Sequence, residues 1–279
     1  MFYLAGLHPS LLFLLVVGST IGISILGLVL SRKYLPHPLL VREEVRTAIA
    51  ICTIIGGLFG LLLALVVVSV WQDFKSQNEM LIEEAVSISI LYRDSSGFDT
   101  GFRDSLRQAI REYNEKIITD AWPKMKEGIE SEATWLAFNK MYRVALRHPA
   151  KDEEELAFKR NMLQQLNNLA TYRRQRLFYA TNTVIQEGLW VVLISGAAIS
   201  IVSTYFFKIG SLKTQTMLSV LHSGIIGITL FLAIALMYPY RSGLRLQPDP
   251  FVKLKTQVFP LIDSVYNFNN KMGFQKMQN

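Results

Sequence analysis

The sequence predicts an all-α membrane protein: four transmembrane helices, with a helical domain inserted between spans two and three. Three observations lead there. The stretches Met1–Ser31, Thr47–Gln72, Gly188–Phe207 and Thr214–Tyr240 contain no Asp, Glu, Lys or Arg. Each can cross a hydrocarbon core of about 30 Å at a helical rise of about 1.5 Å per residue, and in lipid only a helix satisfies its own backbone polar groups. The polar block between the second and third stretches, Asp73 to Glu187, carries apolar residues at helical spacing and has no strand-period segment.

Residues 1–72 hold the first two spans. Span one runs roughly from Pro9 to Leu30, with Gly18, Ser19, Thr20, Gly22 and Ser24 in its middle. It has no basic n-region, its apolar core is too long for a signal peptide and no small-residue cleavage site follows, so it is expected to stay in the mature protein. The segment from Ser31 to Pro38 reads as a tight connector, because Pro36 and Pro38 disfavour helix in the residues before them. Span two runs from about Thr47 to Gln72, where Trp71 suits an interfacial anchor.

Residues 73–185 form the extramembrane helical domain. A helix is expected over Asn78–Tyr92, interrupted by Gly97 and Gly101. The next, Phe102–Trp122, places Leu106, Ile110, Tyr113 and Ile117 on one face and is expected to end at Pro123. A third covers about Ala133–Leu146. A fourth opens at Asp152-Glu153-Glu154-Glu155, an N-cap followed by acidic residues that favour a helix start, and is expected to run unbroken into span three. Residues 186–240 carry spans three and four, and Tyr238-Pro239-Tyr240-Arg241 ends the last span. The tail, 241–279, has six Lys or Arg against Asp249 and Asp263 and is expected along the helical domain or the membrane surface.

The formal charge of +7 is spread beside the spans, with no basic run suited to nucleic acid, so the expected negative partner is membrane lipid. The lone Cys52 lies inside span two and forms no internal disulfide. His8, His37, His148 and His222 are scattered, and no HExxH, CxxC, GxSxG or phosphate-binding loop is present. No catalytic residue, metal site or cofactor is therefore expected, and no enzyme activity. His222, inside span four, reads as a satisfied structural imidazole before a proton relay. The acidic run from Asp152 reads as a helix start before a cation site, since adjacent helical residues do not face one point.

Charge does not orient the chain. Arg32, Lys33, Arg42, Arg46, Lys208 and Lys213 flank the spans on one side; Lys75, Arg173, Arg174, Arg176, Arg241 and Arg245 flank them on the other. Six against six is a tie under the positive-inside rule.

Span two is the informative segment. Thr53, Gly57, Gly60, Ala64 and Val68 recur at three and four, and Gly56 and Gly60 make a GxxxG. Small residues let helices approach closely; the same stripe would also leave room for a permeating ion. Parallel copies of a pore helix would satisfy both readings.

Several segments resemble the bestrophin-like family of bacterial membrane proteins: Gly60 to Val68 with Trp71, Glu84-Ala85 through Leu91-Tyr92-Arg93, Trp122-Pro123 with Met125 and Gly128, and Pro239 to Gly243 through Pro248-Asp249-Pro250-Phe251. The resemblance implies a homo-oligomeric channel for chloride or other small anions, with five subunits as the expected number. Both termini and the helical domain would lie in the cytoplasm of a cell with the chain in its inner membrane. Span two would line the pore through Thr53, Gly57, Leu61, Ala64 and Val68, helped by the hydroxyls of Thr53 and Ser69. Arg173, Arg174 and Arg176, before span three, are the candidate anion-attracting mouth. The chain departs from the bestrophin pattern at Thr53 and Gly57, where bulky apolar neck residues are replaced, so closure by dewetting does not follow. The acidic calcium cluster of animal bestrophins is missing too, so calcium activation does not carry over. The alternative is a non-conducting membrane scaffold whose helical domain binds a protein.

Overall fold

Every regular element among the described residues is helical. The computed structural model describes residues 7–34, 42–182, 187–206, 211–241 and 244–266, at 42–45 and 187 for the backbone alone. The connector residues 35–38, Lys208, the Ser242-Gly243 pair of the post-span motif and the end of the tail lie outside them. Four helices are long and apolar enough to cross a membrane: α1 (Pro9–Tyr34), α2 (Arg42–Asp94), α7 (Glu187–Ser203) and α8 (Leu212–Met237). Between the second and third lie α3 (Thr100–Lys116), α4 (Trp122–Glu127), α5 (Glu132–Arg147) and α6 (Glu153–Thr181), and α9 (Asp249–Lys253) follows the last span.

The chain divides into two compact units, Met1–Phe74 with Thr183–Arg245, and Lys75–Asn182 with Leu246–Asn279. In the first unit α1 packs along α8. Gly227 permits that approach, since a Cβ there would stand 2.3 Å from Thr20 Oγ1. Gly27 similarly takes the Tyr205 ring, whose hydroxyl donates to the Ser24 carbonyl at 2.9 Å, and Gly196 takes the Phe59 ring. Ser200 Oγ and His222 Nε2 join spans three and four at 3.0 Å. The shared core holds Leu12, Leu28, Leu63, Val70, Leu193 and Ala233.

Four expectations about element ends are corrected, one of them at the end of α6. Span one does not stop before Arg32: Arg32 and Lys33 occupy its last turn, where cations meet the helix dipole favourably, and Arg32 Nε donates to Gln215 at 3.0 Å. The segment 78–92 is no separate helix, because no Gly or Pro falls between Leu61 and Ser96 and α2 continues to Asp94. The helix from Thr100 is not ended by Pro123. A π-turn over Ile117–Ala121 widens the path, the Trp122 N–H reaches back five residues to the Ile117 carbonyl, and Pro123 sits in the first turn of α4 where no N–H is needed.

Side chains cap the helices of the second unit, the Asp152 cap being the one expected. Asp99, Ser131 and Asp152 accept from the N–H groups of Phe102, Thr134 and Glu155. Gly128 closes α4 with φ of 75°, and the Ile129 N–H bonds to the Lys124 carbonyl, a Schellman end that glycine adopts without a Cβ penalty. Leu106, Ile110, Tyr113 and Ile117 are all buried. α6 ends at Thr181, with Asn182 extended at φ −110° and ψ 161°, so it does not run unbroken into span three.

Candidate functional site

The stripe expected to line a pore lies on one face of α2. At 100° per residue Thr53, Gly57, Leu61, Ala64 and Val68 centre about 150° away from Phe59, Leu63, Val66 and Val70. The second set is buried in the first unit's core, whereas Leu61 is 60% and Val68 52% exposed. Thr53, Gly57 and Ala64 are not buried either. A Cβ built at Gly56, Gly57 or Gly60 would meet nothing within 4 Å. Among the described residues, the glycines of span two therefore have no packing partner at the Cβ position. Span two is also the least covered span: 11% of its most apolar segment is buried, against 50% for span four. The Thr53 hydroxyl donates to the Ile49 carbonyl at 2.8 Å, so its proton is engaged with its own helix.

The three arginines of α6 separate. Arg174 lines a cavity of about 460 Å³ with Ser76, Met80, Gln175, Phe178 and Tyr179. Arg173 is half-buried, its guanidinium 5.2 Å from the Phe138 ring centre. Arg176 is not presented to solvent at all. It is 1% exposed and donates to both oxygens of Glu84, at 2.7 and 2.9 Å, with Met125 Sδ 3.2 Å from its remaining nitrogen. The Tyr113 hydroxyl completes the group, donating to Glu84 at 3.1 Å; burial pushes its phenol well above the usual range. Arg176 also stands over Phe251, and Asn114 Nδ2 donates to the Phe251 carbonyl at 3.0 Å.

This knot gathers residues from the segments the sequence singled out. Glu84 comes from the segment through Tyr92, Met125 and the neighbouring Trp122 from the segment closed by Gly128, and Phe251 from the end of the post-span motif. A family model described as a bestrophin-like domain matches residues 9–251. The chain belongs to the bestrophin-like family. No curated protein and no solved structure matches it. In this bestrophin-like chain the family-resembling residues outside the membrane hold α2, α4, α6 and α9 together; a buried charge pair with satisfied oxygens is costly to break from one side.

Two groupings escaped the sequence reading. Arg103, Arg107, Arg111 and Tyr92 gather around Asp263, which Arg107 Nη1 and the Tyr92 hydroxyl reach at 3.0 and 2.9 Å. The i, i+4, i+8 spacing of those arginines on α3 was the available signal. Asp99, His148 and Glu155 form the other, each from a different helix end. Asp152 does cap α6 as expected, yet Glu155 turns toward His148.

Proposed function

We propose that the protein is an anion channel of the inner membrane, built from several copies of this chain with span two of each facing the pore. The observation that carries this reading is the small-residue stripe of α2, which is directed away from the chain's own core and leaves space at Gly56, Gly57 and Gly60. One copy of a helix encloses nothing, so a conducting path needs partners around it. The four uncharged stretches hold no carboxylate that would favour a cation, and basic residues flank them on both sides. Such charges raise the local anion concentration within a screening length of about 10 Å at 0.1 M salt.

An ion entering a narrow apolar neck loses hydration, and hydroxyls, backbone dipoles or nearby charge must return part of that energy. Large weakly hydrated anions would therefore pass most easily. The Thr53 hydroxyl serves an anion only by turning its proton from the Ile49 carbonyl. Arg174, with half-buried Arg173, is the candidate attracting charge. Arg176 leaves that role, since Glu84 already neutralises it.

The deciding experiment is the reversal potential of purified protein in liposomes under a chloride gradient. A shift toward the chloride equilibrium supports the proposal. A shift toward the cation equilibrium ends it, and the absence of flux favours the scaffold reading.

A further inference from the structure

We propose that Asp99, His148 and Glu155 form a binding site for one zinc-class divalent cation. The three residues come from separate helix ends of the second unit. Asp99 is the N-cap of α3, His148 the C-cap of α5, and Glu155 stands in the first turn of α6. One ligand atom from each lies within 4.8 Å of the other two. Three such points share a centre no more than about 2.8 Å from each, and a zinc bond to nitrogen or oxygen is about 2.0–2.2 Å. Closing the site thus asks each side chain to move by less than about 1 Å.

The second observation is the imidazole itself. Its side chain is 9% exposed, and among the described residues the buried Nε2 has no hydrogen-bond partner. That nitrogen stands 3.4 Å from Glu155 Oε2, aimed into the cluster. The ring is held there by stacking on Phe102, with centres 4.1 Å apart, and by the edge contact with Phe98 at 5.4 Å. A buried donor or acceptor left unmatched costs about 1–3 kcal/mol, so a fixed, unpartnered imidazole nitrogen beside two carboxylates is the feature that needs a ligand.

The carboxylates are held as well. Glu155 Oε2 accepts the Lys151 N–H at 2.9 Å, and Asp99 Oδ1 accepts the Phe102 N–H at 3.0 Å. Asp99 Oδ2 meets the Lys151 ammonium at 2.6 Å. A cation therefore already stands at the mouth of the cluster, on a side chain 57% exposed that can swing into solvent. Lys151 is the internal competitor of the metal. The donor set selects the class: calcium and magnesium prefer all-oxygen sites, whereas one imidazole with two carboxylates suits zinc and its transition-metal neighbours, water completing the shell.

The test uses the full-length chain in detergent, free of any purification tag, titrated with Zn²⁺ by calorimetry; Co²⁺ absorption reports the ligand geometry. One zinc per chain is expected. His148→Phe keeps the aromatic stack but removes the nitrogen, and should weaken binding more than a hundredfold. Asp99→Asn, which still caps α3, and Glu155→Gln should each weaken it more than tenfold. Lys151→Gln should tighten it several-fold by removing the competitor. Failure of the unsubstituted chain to bind zinc stoichiometrically overturns the proposal, as does unchanged affinity in His148→Phe. Should that variant lose its fold, unchanged affinity in Asp99→Asn overturns it by the same criterion, and loss there upholds it.

Discussion

Removing the Arg176 charge should unfold the extramembrane helices more readily than any surface change, and the structure says by how much. Arg176 and Glu84 are 1% and 0% exposed and joined by two charge-assisted bonds. Arg176→Met leaves a buried carboxylate without its counter-charge, which costs about 3–5 kcal/mol. Glu84→Gln leaves the guanidinium unmatched and should cost a similar amount. Their combination removes both charges while the amide carbonyl introduced by Glu84→Gln still accepts from Tyr113. A buried pair exchanged for neutral groups is often close to neutral in stability, so the double variant should recover most of the loss. For a chain of this size each kcal/mol moves the melting temperature by about 2–4 °C, so either single variant should melt roughly 6–20 °C lower. Tryptophan fluorescence in detergent is a suitable probe, because Trp122 is 3% exposed and lies against Phe251 in the same knot. Unchanged melting in Arg176→Met, or a double variant no better than either single one, would refute the buried-pair argument.

Gly56→Leu and Gly60→Leu should dissociate the assembly without lowering the melting of the single chain, because a Cβ at either position meets no described residue within 4 Å; mass photometry reads this, and a monomeric unsubstituted protein would sink the channel proposal. Thr53→Asp, a ring of charge in an oligomer, should suppress anion current in planar bilayers, and undiminished current would remove Thr53 from the pore wall. Burial, together with the bond to Asp263, pushes the Tyr92 phenol up to about 12. The folded value is raised, so the stability it lends is complete below the usual phenol value of about 10 and is lost as pH climbs through about 12; Tyr92→Phe should flatten the alkaline unfolding curve in that window, and an identical curve would contradict the assignment. Cysteine at exposed Glu130 in a Cys52→Ser background should resist a membrane-impermeant maleimide in intact cells, and ready labelling would place the helical domain outside.

How far the sequence could be read depended on the range of the interaction involved. The spans were legible because lipid excludes charge from whole segments, and a run without Asp, Glu, Lys or Arg needs no partner to interpret. The caps at Asp152 and the end near His148 were legible for a similar reason, since each acts within three or four residues. Pro123 misled because its compensation, the π-turn over Ile117–Ala121, has no composition of its own. Arg176 misled because a position near a span looks basic until its partner is found, and Glu84 lies 92 residues away. A local hint did exist: Glu84, itself fully buried, lies on the face of α2 that also presents Leu81, Ala85, Ile88 and Leu91, all buried. A charge on an apolar stripe announces a buried partner without naming it.

The glycines of the membrane unit carry the argument one step beyond the monomer. They differ in what a Cβ would meet, Gly224 making only an ordinary 3.8 Å contact with Ile21. Gly27, Gly196 and Gly227 are backed by Tyr205, Phe59 and Thr20 at 2.3–2.5 Å, so their smallness is consumed inside the chain. Gly18, Gly22, Gly56, Gly57, Gly60 and, at the start of span three, Gly188 meet nothing among the described residues. A glycine in a helix interior is worse than alanine by about 1 kcal/mol, since it restricts more backbone freedom on folding. Lipid tails offer no return for that cost, because they accommodate a methyl group as readily as a hydrogen. Close approach of another backbone does offer one. Six such positions, five of them in spans one and two, are where a neighbouring helix from outside this chain would fit under the channel proposal. Under the channel proposal, packing and pore wall need not compete: Gly56 and Gly60, toward one side of the stripe, would suit helix contact, while Thr53, Gly57 and Leu61 would face the lumen.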